Sequence, residues 1–283
     1  MSKITILDGA TGTMFWQMAE ADGVAKVPVW IYSMEHPEYV ERVAKAYIEA
    51  GSDIILSNTF GANGPSVRKS SSYDPAEVVR TGVRIAKKAA EGTSVKVGLD
   101  IGPLSELMEP YGDLEEDEVA EIYTEMMRAG VEAGADLIFL ETFIDLNMMA
   151  VAAQTAVSFG VPVLCSMSFE KSGKTIMGNS PKDVAETLAP LGVSAVGINC
   201  SLGPDQALPI LKAYSEATDL PLIFKPNAGM PILTPDGKSV ASVDAIHFVD
   251  DVAPALPYVS YVGGCCGSAP LYIEKLKERV ASL

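Results

Sequence analysis

Tyr261-Val262-Gly263-Gly264-Cys265-Cys266-Gly267 reads as a buried strand running into a tight loop. The apolar residues Val259 to Val262 supply the strand, and the glycines let backbone and ligand approach closely at its exit. A disulfide between adjacent cysteines would close a strained ring, so the pair is read as a grip for something soft. A third cysteine, Cys200, stands in Gly197-Ile198-Asn199-Cys200-Ser201, another apolar run with a polar end. Three thiolates delivered from two strand ends suit one Zn²⁺ with a fourth position open, the arrangement of a catalytic site.

Outward from that stretch the same unit recurs along the chain: a short apolar run, a polar or glycine-rich end, then an amphipathic helix. Strands are predicted at Ile4–Asp8, Asp53–Asn58, Val95–Asp100, Asp136–Glu141, Val161–Ser166, Ala195–Cys200, Leu220–Lys225 and Tyr258–Gly263. Most are β-branched or Leu-rich with little alternation, as parallel strands covered on both faces require. Helices are predicted at His36–Ala50 (apolar face Val40, Val43, Ala44, Tyr47, Ile48), from Asp74 to near Gly92, and from Asp113 onward with Val119, Ile122, Tyr123 and Met126 aligned. Further helices follow at Asp145–Phe159, Pro181–Leu191 behind Ser180, Asp205–Ala217, Val243–Leu256 and Leu271–Val280. Asp74-Pro75 with Glu77 is a helix-start signal, and Pro209 predicts a kink unless it falls in a first turn. Eight βα units with short links predict an α/β fold, a single-domain (β/α)8 TIM barrel over residues 1–283. A doubly wound open sheet is the alternative, disfavoured by the regular repeat and by the lack of a Gly-rich dinucleotide fingerprint.

In such a barrel, functional groups belong at the C-terminal ends of the strands. Those ends here read Asp8-Gly9-Ala10-Thr11-Gly12-Thr13, Asn58-Thr59-Phe60-Gly61, Asp100-Ile101-Gly102-Pro103, Glu141-Thr142-Phe143, Ser166-Met167-Ser168, Asn199-Cys200-Ser201, Lys225-Pro226-Asn227-Ala228-Gly229 and Gly264-Cys265-Cys266-Gly267. Cys200 leaves strand six and the cysteine pair strand eight, with strand seven between them, so the sulfurs are expected to converge over one quadrant of the mouth.

Composition narrows the class. The formal charge of −16 disfavours a nucleic-acid or anionic-membrane surface. The acidic run Asp113 to Glu118 reads as a helix start favoured by the helix dipole, not as a cation site. No stretch approaches the roughly 20 apolar residues of a spanning helix. The N-terminus, Met1-Ser2-Lys3-Ile4, passes straight into a strand without a signal-peptide pattern. Four cysteines in a chain of 283 residues point to metal or catalytic use in a reducing cytoplasm.

The ordered set of exit motifs resembles the homocysteine S-methyltransferase family over almost the whole chain. It begins with Leu7-Asp8-Gly9-Ala10-Thr11-Gly12-Thr13-Met14 and ends with Gly263-Gly264-Cys265-Cys266-Gly267-Ser268-Ala269-Pro270. Between them lie Ser57-Asn58-Thr59-Phe60-Gly61-Ala62-Asn63, Glu141-Thr142, Gly197-Ile198-Asn199-Cys200 and Pro226-Asn227-Ala228-Gly229-Met230-Pro231. The Asn-Thr-Phe-Gly-Ala-Asn and Pro-Asn-Ala-Gly strings look most like the homocysteine-binding module of cobalamin-dependent methionine synthase. No Asp-x-His-x-x-Gly cobalamin signature accompanies them, both histidines (His36 and His247) falling in predicted helical segments. The chain is therefore expected to be one module, excised or free-standing, that meets its methyl donor on another protein.

The resemblance implies methyl transfer to homocysteine, forming methionine, with Zn²⁺ on Cys200, Cys265 and Cys266 and a methylated corrinoid (methylcobalamin or a corrinoid protein partner) as donor. It implies Glu141 for the homocysteine ammonium with Asp8 assisting, backbone amides of Gly9 to Thr13, Thr11 included, for its carboxylate, Asn58 and Thr59 in the pocket floor, and Asn227 at the metal's open position. Competing donors are S-methylmethionine, S-adenosylmethionine or betaine, and an onium donor would benefit from an aromatic cage that a 7% aromatic chain is short of. A reading of another class is a non-catalytic zinc-binding subunit of a corrinoid protein. Structural readings stand beside each residue: Asp8 as a loop cap, Glu141 paired with Lys225 or Arg68, and Asn58 and Asp100 satisfying buried backbone. Cys165, Met126, Met127, Met148 and Met149 read as packing groups, and Trp16 and Trp30 either flank the mouth or pack beneath the first loop.

Overall fold

A computed structural model of the chain describes residues 3–229 and 242–283, with the backbone of 232–233 and 239–240. Met230 and Pro231, the end of the Pro-Asn-Ala-Gly string, and Met1 and Ser2 at the amino terminus lie outside the described residues. The barrel strands are β1 (Thr5–Ile6), β2 (Ile54–Leu56), β3 (Lys96–Ile101), β4 (Leu137–Phe143), β5 (Val163–Met167), β6 (Ala195–Asn199), β7 (Leu222–Lys225) and β8 (Tyr261–Val262). All neighbours pair in parallel, in the order β1-β8-β7-β6-β5-β4-β3-β2. The eight βα units predicted from periodicity are those of a (β/α)8 TIM barrel, and the open doubly wound sheet is excluded.

Closure between β1 and β2 is made largely by side chains. Asp53 N–H donates to Ile6 O at 2.7 Å, and Ile6 N–H donates back to Asp53 Oδ2 at 2.8 Å. One turn nearer the mouth, Leu56 N–H donates to Asp8 Oδ2 at 2.7 Å. Each strand's aspartate thus satisfies an amide of the other.

Two apolar layers fill the molecule. Leu7, Ile54, Leu137, Phe139, Leu164, Ala195 and Ile223 pack inside the cylinder, and a larger layer lies between strands and helices. The helices are α1 (Pro37–Glu49), α2 (Pro75–Ala89), α3 (Glu116–Glu132), α4 (Leu146–Val157), α5 (Pro181–Leu188), α6 (Pro204–Ala217), α7 (Ala245–Val252) and α8 (Pro270–Ala281). The face predicted for α1 is the buried one, with Val40, Val43, Ala44 and Tyr47 inward and Ile48 half-buried. Asp74 caps α2 by accepting Glu77 N–H at 2.9 Å, and Ser180 with Asp183 forms a capping box at α5.

Boundaries differ where proline intervenes. The predicted 181–191 and 243–256 helices each end in a tighter 3-10 turn, at Ala189–Leu191 and Ala253–Tyr258, which contain Pro190 and Pro254 with Pro257. Pro209 sits in the second turn of α6, which runs through it as one helix. His36 lies at the junction of a short helix, Tyr32–Glu35, with α1, because Pro37 disfavours helical backbone in the residue before it. Two further helices, Gly12–Ala21 and Gly64–Ser70, occupy loops over the mouth. None of the described helices is long and apolar enough to cross a membrane.

Candidate functional site

The sulfur-bearing quadrant is stitched together by backbone bonds across three strand exits. Cys200 N–H donates to Lys225 O at 3.1 Å, Asn227 N–H to Leu202 O at 2.9 Å, Cys265 N–H to Pro226 O at 2.9 Å, and Ala228 N–H to Cys266 O at 2.9 Å. The exit of β7 is therefore a spacer with fixed bonds to the cysteine loops on either side, as the strand order predicted. Cys200 (φ 60°) and Ser201 (φ 57°) are consecutive residues in the left-handed region, which turns the chain sharply after Asn199. Such backbone is uncommon without glycine and persists where surroundings enforce it.

The Sγ atoms of Cys200, Cys265 and Cys266 all lie within 4.8 Å of one another, and Cys200 to Cys266 is 3.8 Å. A tetrahedral zinc with Zn–S bonds of about 2.3 Å has an S–S edge of about 3.8 Å. The donor set therefore fits zinc in spacing as well as in chemistry. The three sulfurs share charge unequally. Hydrogen bonds from Cys265 and Cys266, then from Ser201 N–H and Asn227, hold the Cys200 thiol far below the usual range. The same contacts push Cys265 up, and Cys266 is pushed up to about 11. Cys266 is the most exposed of the three.

Asn199 supports the centre from below. It is fully buried, and its Oδ1 accepts Thr142 N–H and Ser166 Oγ–H, both at 2.8 Å. Its Nδ2 donates to Thr142 Oγ1 at 2.7 Å and approaches Cys265 Sγ at 4.0 Å. An N–H aimed at a thiolate tunes and orients a metal ligand. Asn227 Oδ1 accepts Cys266 N–H at 3.1 Å, so the residue predicted for the open metal position lies against two of the cysteines.

Beneath the sulfurs the barrel carries a buried charge cluster. Lys225, 2% exposed, places Nζ 3.3 Å from Asp8 Oδ1 and 3.1 Å from Glu141 Oε2. Burial opposes its charge, but Glu141 and Asp8 raise its pKa above the ordinary lysine value. Burial also pushes the Asp100 and Glu141 carboxyls up, most strongly Asp100, while Lys225 pulls both back. Asp100 Oδ1 is buried without a hydrogen-bond partner among the described residues.

The remaining predicted residues are distributed as follows. Asp8 is 1% exposed and has both oxygens engaged, one by Lys225 and one by Leu56 N–H. Glu141 pairs with Lys225, while Arg68 pairs with Glu125 instead. Gly9 is pressed against Ser268 O, where a Cβ would collide. Ala10 N–H is spent on Ser268 O at 2.9 Å, and Thr11 precedes the helix Gly12–Ala21, whose first amides have no partner within the helix. Asn58 donates to Val29 O (2.8 Å) and Ser33 Oγ (3.0 Å), and Thr59 donates to Asp100 O (2.7 Å). Both side chains are buried and tie loops together. Cys165 and the four methionines are buried packing groups, Trp30 is buried, and Trp16 is 42% exposed. Lys225 and Asn199 were not singled out from sequence as site residues. The available signal was position: each is the last strand residue, on the inward face two residues after Ile223 or Gly197.

The family model for homocysteine S-methyltransferase matches residues 5–280. Methionine synthase of Mycobacterium tuberculosis (strain ATCC 25618 / H37Rv) is 29% identical over 273 residues, covering 89% of this chain and 22% of that protein. Methionine synthase of Mycobacterium leprae (strain TN) is 29% identical over 272 residues with the same coverage, so the chain spans about a fifth of the length of these relatives. The metallated form of the homocysteine methyltransferase MmuM from Escherichia coli shares the fold, with a TM-score of 0.79 at 24% identity over 98% of this chain and 96% of that one. With the family model matching nearly its full length, this chain belongs to the homocysteine S-methyltransferase family.

Proposed function

We propose that this protein is a zinc-dependent S-methyltransferase that methylates homocysteine to methionine, with a methylated corrinoid, carried on a partner protein, as donor. The observation that carries the reading is the sulfur triangle at the open end of the barrel, with its 3.8 Å edge between Cys200 and Cys266. Zinc held by Cys200, Cys265 and Cys266 would deprotonate the acceptor thiol at neutral pH and keep it electron-rich.

The chain's own residues hold the rest of the acceptor. Glu141, whose Oε2 accepts from Lys225 Nζ at 3.1 Å, takes the ammonium with its other oxygen. The amides of Thr11, Gly12 and Thr13, at the start of the Gly12–Ala21 helix, take the carboxylate, where unpaired N–H groups and the helix dipole favour an anion. Asn199 and Asn227 orient the cysteines. The thiolate electron pair forms the new S–C bond while the donor's bond to the methyl group breaks and its electron pair leaves with the donor. No general base is required in that step. Likeness to methionine synthases and the small aromatic content support the corrinoid over onium donors.

The test is a donor panel with zinc-loaded protein and homocysteine, scored for methionine: methylcobalamin, S-methylmethionine, S-adenosylmethionine and betaine. Turnover with methylcobalamin that chelator abolishes is the expected result. Turnover only with an onium donor would replace the corrinoid, and intact zinc binding without turnover from any donor would favour a non-catalytic subunit.

A further inference from the structure

A lysine ammonium inside the cylinder needs an explanation beyond packing. Taking the charge out of water costs several kcal/mol, which an apolar side chain of similar length would not incur. The Lys225 ammonium also lies 5.0 Å from the centroid of the Phe139 ring, on top of the apolar interior layer. Its partners form an ordered chain: Leu56 N–H fixes Asp8 Oδ2, Asp8 Oδ1 fixes Lys225, and Lys225 fixes Glu141 Oε2. The chain ends at Glu141, and the neighbouring Asp100 has its Oδ1 buried without a hydrogen-bond partner among the described residues.

We propose that Lys225 is the positioning residue that makes this pocket select an acceptor bearing an ammonium group, by holding Glu141 from below so that its second oxygen faces the substrate. The inference rests on the acceptor reading above and deepens it. Without Lys225, Asp8, Asp100 and Glu141 would be three buried carboxyls with no internal cation, and burial would drive Glu141 toward its neutral form, a poor partner for an ammonium. With Lys225 and a bound ammonium, two positive groups face the three carboxyls, of which burial pushes Asp100 up most strongly. Glu141 is faced by Asp8 from β1, Asp100 from β3, Lys225 from β7 and the sulfurs of Cys200 and Cys266, so Lys225 is the one cation among them.

The test compares homocysteine with 4-sulfanylbutanoate, the same thiol acid without the ammonium, by isothermal titration of zinc-loaded protein. The unmodified protein is expected to prefer homocysteine. Lys225→Met and Lys225→Gln are expected to lower that preference by about tenfold or more, with zinc content intact and 4-sulfanylbutanoate affinity within about threefold of the unmodified protein. A merely structural role would weaken both ligands together. Folded variants that keep the original preference overturn the inference, whereas an unmodified protein that binds neither thiol overturns the acceptor reading itself. A crystal structure of the unmodified protein with homocysteine provides the check that needs no variant. The ammonium on Glu141 Oε1, with Lys225 still on Oε2, supports the inference, and Lys225 withdrawn from Glu141 refutes it.

Discussion

Tyr47 reaches from α1 to set its hydroxyl 3.0 Å from the carbonyl oxygen of Ser268, 221 residues away in the cysteine loop. The same hydroxyl lies 2.5 Å from Ala10 O, and Ser268 O also accepts Ala10 N–H at 2.9 Å. One buried phenol thereby locks the loop proposed to take the acceptor carboxylate to the loop that carries Cys265 and Cys266. Tyr47→Phe takes the donor away from Ala10 O, while Ser268 O keeps Ala10 N–H, so it is expected to lower stability by about 1–3 kcal/mol. Urea denaturation measures it, and an unchanged midpoint would remove the locking role.

Cys265→Ser is expected to abolish stoichiometric zinc while the barrel stays folded, because the triad sits at the mouth and outside both apolar layers. Metal analysis beside far-ultraviolet circular dichroism checks both halves. A zinc-replete variant with normal turnover would contradict the ligand assignment.

Glu141→Gln is expected to weaken homocysteine binding and spare the metal. A hydrogen bond to a charged group contributes about 1.5–3 kcal/mol, which corresponds to a loss of at least about tenfold. Titration calorimetry that finds homocysteine affinity unchanged would take the ammonium role away from Glu141.

Zinc uptake is expected to release two protons. In the metal-free triad the Cys200 thiolate is favoured, stabilised by its two neighbours, while Cys265 and Cys266 are held as thiols, with Cys266 pushed up to about 11. All three must be thiolates to ligate, so the bound state carries fewer protons and affinity rises with pH, by about a hundredfold per unit between pH 6 and 8. Calorimetry in buffers of different ionisation enthalpy counts the protons. A count of zero would show three thiolates already present, against the charge sharing described above.

Asp8→Asn is expected to cost about 3–5 kcal/mol, because it leaves Lys225 short of a buried counter-charge and weakens the bond to Leu56 N–H. Thermal unfolding reads it directly, and a stability change below about 1 kcal/mol would show the lysine held by Glu141 alone.

The barrel and the cysteine triad were legible because both rest on patterns that survive without coordinates. Uninterrupted apolar runs such as Leu137–Leu140 mark strands buried on both faces, and the strand order that places β7 between Cys200 and Cys265 follows from the repeat. The inner charge cluster was less legible, since a polar residue at a strand exit looks the same whether it faces ligand or protein. Asp8, Asn58 and Thr59 carry the residue types of a pocket yet spend their hydrogen bonds on the scaffold. Lys225 reads from sequence as one of two possible cations for Glu141, and its inward register with Asn199 decides for it over Arg68. The helix Gly64–Ser70 did leave a trace in Asn63-Gly64-Pro65, a cap followed by a proline in the first turn, and Asn63 Oδ1 accepts Ser66 N–H at 3.0 Å.

The reciprocal aspartates between β1 and β2 give the cylinder a preferred place to open. The other adjoining strands are joined by registered main-chain ladders that no single substitution can remove. Here one main-chain bond, Asp53 N–H to Ile6 O, stands beside two amides, those of Ile6 and Leu56, that answer to carboxylates. Native-state hydrogen exchange should therefore find these amides among the first barrel protons to reach solvent, and fluctuations at that joint would be felt at once by Lys225 and the floor above it.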